Sequence, residues 1–202
     1  MAFAWFLNCF VISLMVNSIS TTNPDRFEFN DCGSTGATIH KIDMTPMPLI
    51  YPDAINATLI ATVKRPISFY TVSLKIERTI SGIKLPIKCY LLDGNHIGAC
   101  QYRSETVCDY INYWNFNGSE SFIWLIPMMK LLGLLVNCPG NNIPEQTIII
   151  DKRSFVLPTM SIYYTSYTNG LFNVTVTVNE LDAPSDQPFF CGTFKYTMRQ
   201  RK

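Results

Sequence analysis

Apolar and polar residues alternate along much of the chain. Over residues 70–77 (YTVSLKIE), Tyr70, Val72, Leu74 and Ile76 form one series and Thr71, Ser73, Lys75 and Glu77 the other. Successive side chains of a strand point to opposite faces, so this period of two predicts a strand with one buried and one wet face. Ile83, Leu85, Ile87 and Cys89 alternate in the same way with Lys84, Pro86 and Lys88. Phe172, Val174, Val176 and Val178 alternate with Asn173, Thr175, Thr177 and Asn179. Further strands are expected at 57–63, 147–150 and 190–198. The Asn169-Gly170 and Asp93-Gly94 dipeptides tolerate the positive φ of tight hairpin turns. Short strands with Pro and Gly breaks and few helical patterns predict one all-β domain, an immunoglobulin-like antiparallel sandwich or cup.

Two stretches break the alternation. Residues 122–136 (FIWLIPMMKLLGLLV) carry twelve large apolar side chains, among them Phe122, Trp124, Leu125, Met128, Met129, Leu132 and Leu135. At ~1.5–3 kcal/mol per buried side chain, leaving all of them in water would cost roughly 18–36 kcal/mol. That exceeds the whole stability of an ordinary domain, about 5–15 kcal/mol, so something must cover the run. Pro127, Lys130 and Gly133 interrupt it, and it falls short of the ~18 residues a spanning helix needs. Helical spacing from Met128 leaves only a narrow polar stripe, so the segment reads either as a core helix or as the lip of a greasy site. The second run, 2–16, precedes any charged side chain, and the small Ser18 and Ser20 follow it. Residues 1–20 therefore read as a secretory signal peptide, leaving 21–202 as the domain.

Secretion changes how the remaining composition is read. Without Cys9, six cysteines are left: Cys32, Cys89, Cys100, Cys108, Cys138 and Cys191. In an oxidising compartment they imply three disulfides, for which fifteen pairings are possible. There is no CxxC, and His40 and His96 are the two histidines, so neither a metal site nor a cofactor is expected. Asn56, Asn117 and Asn173 head glycosylation sequons, and Asn173 falls on the wet face of its strand. A formal charge of +1 argues against a nucleic-acid partner. A serine hydrolase is disfavoured because GxSxG is absent, and thiol catalysis because the cysteines are committed to disulfides.

The order of several segments resembles the ganglioside activator family of the ML lipid-recognition superfamily. Phe27-Glu-Phe-Asn-Asp-Cys32-Gly33 is similar to the family's opening. Ile50-Tyr-Pro-Asp-Ala-Ile-Asn56-Ala-Thr58-Leu59 resembles its proline-led second strand. Ile83-Lys-Leu-Pro-Ile-Lys-Cys89, Gly98-Ala-Cys100, Cys108-Asp109, Phe155-Val-Leu-Pro158 and the strand at Cys191 complete the order. The resemblance implies the pairing Cys32–Cys191, Cys89–Cys100 and Cys108–Cys138. A family member's fourth disulfide, inside the 108–138 loop, has no counterpart here.

The resemblance further implies a sandwich opened into a β-cup around an apolar lipid cavity. Val72, Leu74, Ile76, Val174 and Val176 would line the cavity. Ile67, Phe69 and the 122–136 run would form its lip. Flexible thioethers at Met128 and Met129 suit varied acyl chains, and Trp124 suits a half-wet rim. The function implied is non-enzymatic: a secreted or lysosomal protein that lifts a glycosphingolipid or phospholipid from a membrane during transient contact. It would present that lipid to a partner such as a lysosomal glycosidase. The alternative is a secreted recognition or adhesion module of the same sandwich class without lipid cargo, which predicts a filled core and a surface patch for protein.

Overall fold

The computed structural model describes residues 26–51, 53–92, 95–105, 142–156, 169–181 and 186–201. Its named elements are twelve strands, β1 (Glu28–Asp31), β2 (Ala37–Thr45), β3 (Leu49–Tyr51), β4 (Ala54–Val63), β5 (Tyr70–Ile80), β6 (Ile83–Ile87), β7 (Cys89–Leu92), β8 (Asn95–Gly98), β9 (Gln101–Arg103), β10 (Gln146–Val156), β11 (Gly170–Glu180) and β12 (Phe190–Gln200). The main sheet runs β1-β12-β11-β5-β6, with β3 added beside β12 and β9 beside β5; the facing sheet runs β10-β4-β2. All pairings are antiparallel except β3 with β12. The fold is an all-β sandwich, as the alternation predicts.

The register sets which residues share a face. Val178 lies opposite Val72, Val176 opposite Leu74, and Val174 opposite Ile76, while on the other side of β11 Val174 faces Phe194. Val72 and Val178 pack against a core cluster formed by Ala61, Val63, Ile67, Tyr70, Ile148, Ile150 and Phe189. The even-numbered positions of β5 and β11 therefore point between the sheets. The odd-numbered ones, such as Lys75, Glu77 and Thr175, are on the outside.

Residues 32–37 carry the chain from β1 in the main sheet to β2 in the facing sheet, and they are tied down at each step. Cys32 is joined to Cys191, its N–H donates to the Cys191 carbonyl at 3.0 Å, and the Thr35 N–H donates to Pro188 at 3.0 Å. The Gly36 and Ala37 N–H groups both reach the Phe189 carbonyl. A Cβ at Gly36 would collide with the edge of the Phe189 ring, which is itself buried in the core and covered by the Arg65 guanidinium 5.0 Å from its centroid. Gly36→Ala is expected to cost about 1–3 kcal/mol by overpacking. The melting temperature should then drop by roughly 2–12 °C; an unchanged melt would mean that Phe189 can swing aside.

Two differences from the sequence reading concern the strand at 83–89. β6 ends at Ile87, and Cys89 begins a separate hairpin, β7–β8, closed by the Cys89–Cys100 disulfide. Ile83 and Leu85, expected on a buried face, are 63% and 41% exposed. Among the described residues β6 is the edge of its sheet, hydrogen-bonded to β5 alone, so its inward face receives less cover than the central strands.

Two tethered carboxylates make stability sensitive to acid. A hydrogen bond from Arg65 at 2.9 Å, opposed by partial burial and assisted by the Arg65 charge, holds Glu180 below its ordinary 4.5. Burial raises Asp31, but hydrogen bonds from the Ser34 and Gly33 N–H groups outweigh it and leave the group below 3.8. Both carboxylates are more acidic in the folded chain than in the unfolded one. Their contribution is therefore complete above the unfolded values and is lost as pH falls through the lowered folded ones. Melting should be level from neutrality to about pH 5 and decline below about pH 4. Glu180→Gln should flatten part of that acid limb.

Candidate functional site

Burial along the inward positions follows one pattern in both sheets. On β4, Ile55 at one end and Ala61 and Val63 at the other are buried, whereas Ala57 and Leu59 between them are half-exposed. On β11, Phe172 is buried, and Val174 and Val176 toward the middle are half-exposed. On β5, Tyr70 is buried and Leu74 and Ile76 are half-exposed. Inward-facing aliphatic side chains in the middle of a close-packed sandwich would be sealed by the opposite sheet. Here the middle positions are only partly buried, while the core cluster lies at one end and the buried Leu49, Tyr51, Ile55 and Phe172 mark the other.

Aromatic rings extend this face toward β1. Phe172 stacks on Tyr196 with centroids 5.4 Å apart, Tyr196 lies near Phe27 at 6.5 Å, and Phe194 contacts Phe29 at 5.3 Å. Gly192 leaves room for these rings: a Cβ there would stand 2.8 Å from Phe29 and 2.7 Å from Phe190. Burial among them pushes the Tyr196 hydroxyl up to about 12. Beside Phe27 and Phe29, along β1 and β2, lies an open cleft of about 800 Å³ lined by the apolar Ile39 and Ile42 and the charged Lys41 and Lys195.

The expected cavity residues divide into two groups. Leu74, Ile76, Val174 and Val176 share the half-open inward face. Val72 packs against the core cluster at the closed end. Ile67, expected at the lip, is 1% exposed and its backbone pairs with Ile143. It belongs to the core, because Pro66 and the Ile67–Ile143 bridge draw it inward beside Tyr70. Phe69 is 62% exposed, and its carbonyl accepts the Leu181 N–H, which places it beside another exposed apolar side chain. Arg65, adjoining that region, is engaged with Glu180 and Phe189.

Among the described residues two disulfides are present, Cys32–Cys191 and Cys89–Cys100, two of the pairs that the resemblance implies. Asn56 is exposed on β4, while Asn173 is half-buried on the outer face of β11 with its Oδ1 enclosed. Phe122, Trp124, Leu125, Met128, Met129, Leu132, Leu135, Asn117, Cys108, Cys138 and residues 1–20 lie outside the described residues. Among the described residues no group of His, Cys, Asp or Glu is arranged to hold a metal ion, and no helix is long and apolar enough to cross a membrane.

One inward residue is absent from the expected set. Arg78 continues the even-numbered series of β5, opposite Phe172 on β11 and Leu85 on β6. The alternation of Tyr70, Val72, Leu74 and Ile76 reaches it directly, but a charge where the next apolar residue should stand reads in the sequence as the end of the strand.

No protein-family model matches the sequence, and neither does any curated protein. Among solved structures, a Niemann-Pick type C2 protein from Japanese carpenter ant is similar at 13% identity. That match covers 85% of this chain and 99% of the other, with a TM-score of 0.35.

Proposed function

We propose that the protein is a non-enzymatic lipid carrier of the ML type, a β-cup that holds acyl chains between its sheets. The partly buried stretch formed by Leu74, Ile76, Val174 and Val176, between Phe172 and the core cluster, supports this reading. A cavity walled by aliphatic and aromatic side chains accepts apolar tails without specifying their chemistry, and few polar groups are then needed to orient a head. The disulfides fit an oxidising compartment. In this reading residues 1–20 direct secretion or lysosomal delivery, and residues 21–202 form the carrier. The exposed Phe69 and Leu181, together with the 122–136 run, meet the bilayer during pick-up. The cargo is a glycosphingolipid or phospholipid, presented to a partner such as a lysosomal glycosidase.

Native mass spectrometry of the secreted protein, purified without detergent, tests this. The expected spectrum contains the protein with bound lipid, and fragmentation of that species names the headgroup. A spectrum of bare protein, combined with no extraction of phospholipid or glycosphingolipid from liposomes, would remove the carrier reading.

A further inference from the structure

We infer that the cleft at the seam of β1 and β2 binds an acidic amphiphile, a phosphate or carboxylate head on an apolar group. This site is separate from any cargo held along 74, 76, 174 and 176. β1 and β2 belong to different sheets, and no ladder joins them. The register sorts the lining of the cleft by chemistry. Phe29 lies opposite Phe194, which lies opposite the inward Val174, so Phe27 and Phe29 take the inner side of β1. Glu28, opposite Lys195, and Asn30, opposite Thr193, take the outer side.

The bulge in β2 builds the other wall. Ile39 pairs with Ala61 and Lys41 with Ile60, so His40 is the extra residue, and its Nε2 meets the Thr62 hydroxyl at 2.9 Å. In a plain strand residue 41 would share the inner side with Ile39. The insertion instead puts Lys41 on the outer side and returns Ile42, opposite Leu59, to the inner one. Phe29, Ile39 and Ile42 are half-exposed, and with Phe27 they form an apolar floor beneath a basic rim. Three cations stand on that rim, Arg26, Lys41 and Lys195, against one lining carboxylate, Glu28, which is 3.8 Å from Lys195. A cleft dominated by one sign of charge concentrates counter-ions, and its floor gains by burying hydrocarbon. A free anion would leave the floor wet, and a neutral lipid would leave the rim unused. The volume of about 800 Å³ is that of a small-molecule site, for which about 300–1,000 Å³ is usual.

The test titrates octyl phosphate, octanol and inorganic phosphate, all below micelle formation, into the isotope-labelled full chain with its disulfides intact. Amide shifts locate the site. Octyl phosphate should move residues 26–30 and 39–42 and bind at least 10-fold tighter than inorganic phosphate, since burying two methylenes already gives roughly that factor. Arg26→Gln/Lys41→Gln, both exposed, should melt like the native chain and weaken octyl phosphate roughly 3- to 30-fold, with octanol unchanged. An unchanged octyl phosphate affinity in that variant overturns the site. Should the variant fold poorly, the native chain decides: octanol binding at 26–30 and 39–42 as tightly as octyl phosphate overturns it. Inorganic phosphate binding there as tightly as octyl phosphate reduces it to a free-anion site and overturns the amphiphile. Shifts confined to 72–78 and 172–178 overturn the seam site while leaving the carrier reading in place. No shift from any probe overturns the seam site as well.

Discussion

The Val176→Trp variant is expected to fold normally and to lose most of its lipid extraction. Val176 lies inward at the middle of β11, opposite Leu74, where both side chains are half-exposed. In a packed sandwich the added indole would have no space and would cost about 1–3 kcal/mol. In an open interior the ring fills a void that an acyl chain would otherwise occupy. Displacing as few as two methylenes of the tail removes about 1.6 kcal/mol of transfer free energy, which is already roughly tenfold in affinity. Liposome extraction and thermal melting together discriminate the two cases. A melt within about 3 °C of native with extraction reduced tenfold or more supports the cavity. A strongly lowered melt with extraction intact would show that the middle is packed and that the lipid, if any, binds elsewhere.

The second large effect concerns Cys32–Cys191. The bridge closes a sequence separation of 159 residues, and in a chain-entropy description so long a loop contributes ~4–5 kcal/mol by restricting the unfolded chain. For a domain of this size that corresponds to a melting temperature lower by roughly 8–20 °C in Cys32→Ser/Cys191→Ser. The loss should not be confined to the unfolded state. Ser34 both donates to the Cys191 carbonyl and accepts its N–H at 2.9 Å, so the bridge also fixes the strap that leads from β1 into β2. Opening Cys89–Cys100, with a separation of 11, should cost less in the same chain-entropy terms. If the two double variants melted at the same temperature, loop length would not be the governing quantity.

The long strands of the main sheet were legible because nothing interrupts their alternation. β5 and β11 pair over ten successive positions without a shift, so period two survives along their length. β2 was not recognised, and its register explains why. A bulge between Ile39 and Lys41 inserts an extra residue, so the apolar residues Ile39 and Ile42 are three apart and the alternation fails. The same happens on β10, where the shift between Ile150 and Arg153, with Lys152 at φ 43°, hides the strand beyond Ile150. The shared inward face of 74, 76, 174 and 176 followed from alternation. The placement of Ile67 did not, because its burial depends on the Ile67–Ile143 bridge, a contact between distant parts of the chain. Arg78 was passed over for a different reason: apolar periodicity finds walls, and a charge set into a wall looks like its end.

The two bulges have a bearing on self-association. A strand edge with free N–H and C=O groups is a template on which another copy can add a strand, and long flat apolar edges are the start of cross-β aggregation. β5, β11 and β12 carry most of the apolar face, and all three have neighbours on both sides within the main sheet. Among the described residues, the outer strands of that sheet are the four-residue β1, the three-residue β3 and β9, and the five-residue β6, which contains Pro86. The facing sheet has longer edges, β2 and β10, and each of these carries one of the bulges. A second copy approaching either edge would meet a ladder that is broken partway. The described residues thus expose apolar side chains such as Phe69, Ile83 and Ile149 on sheets whose edges are either short or broken by a bulge.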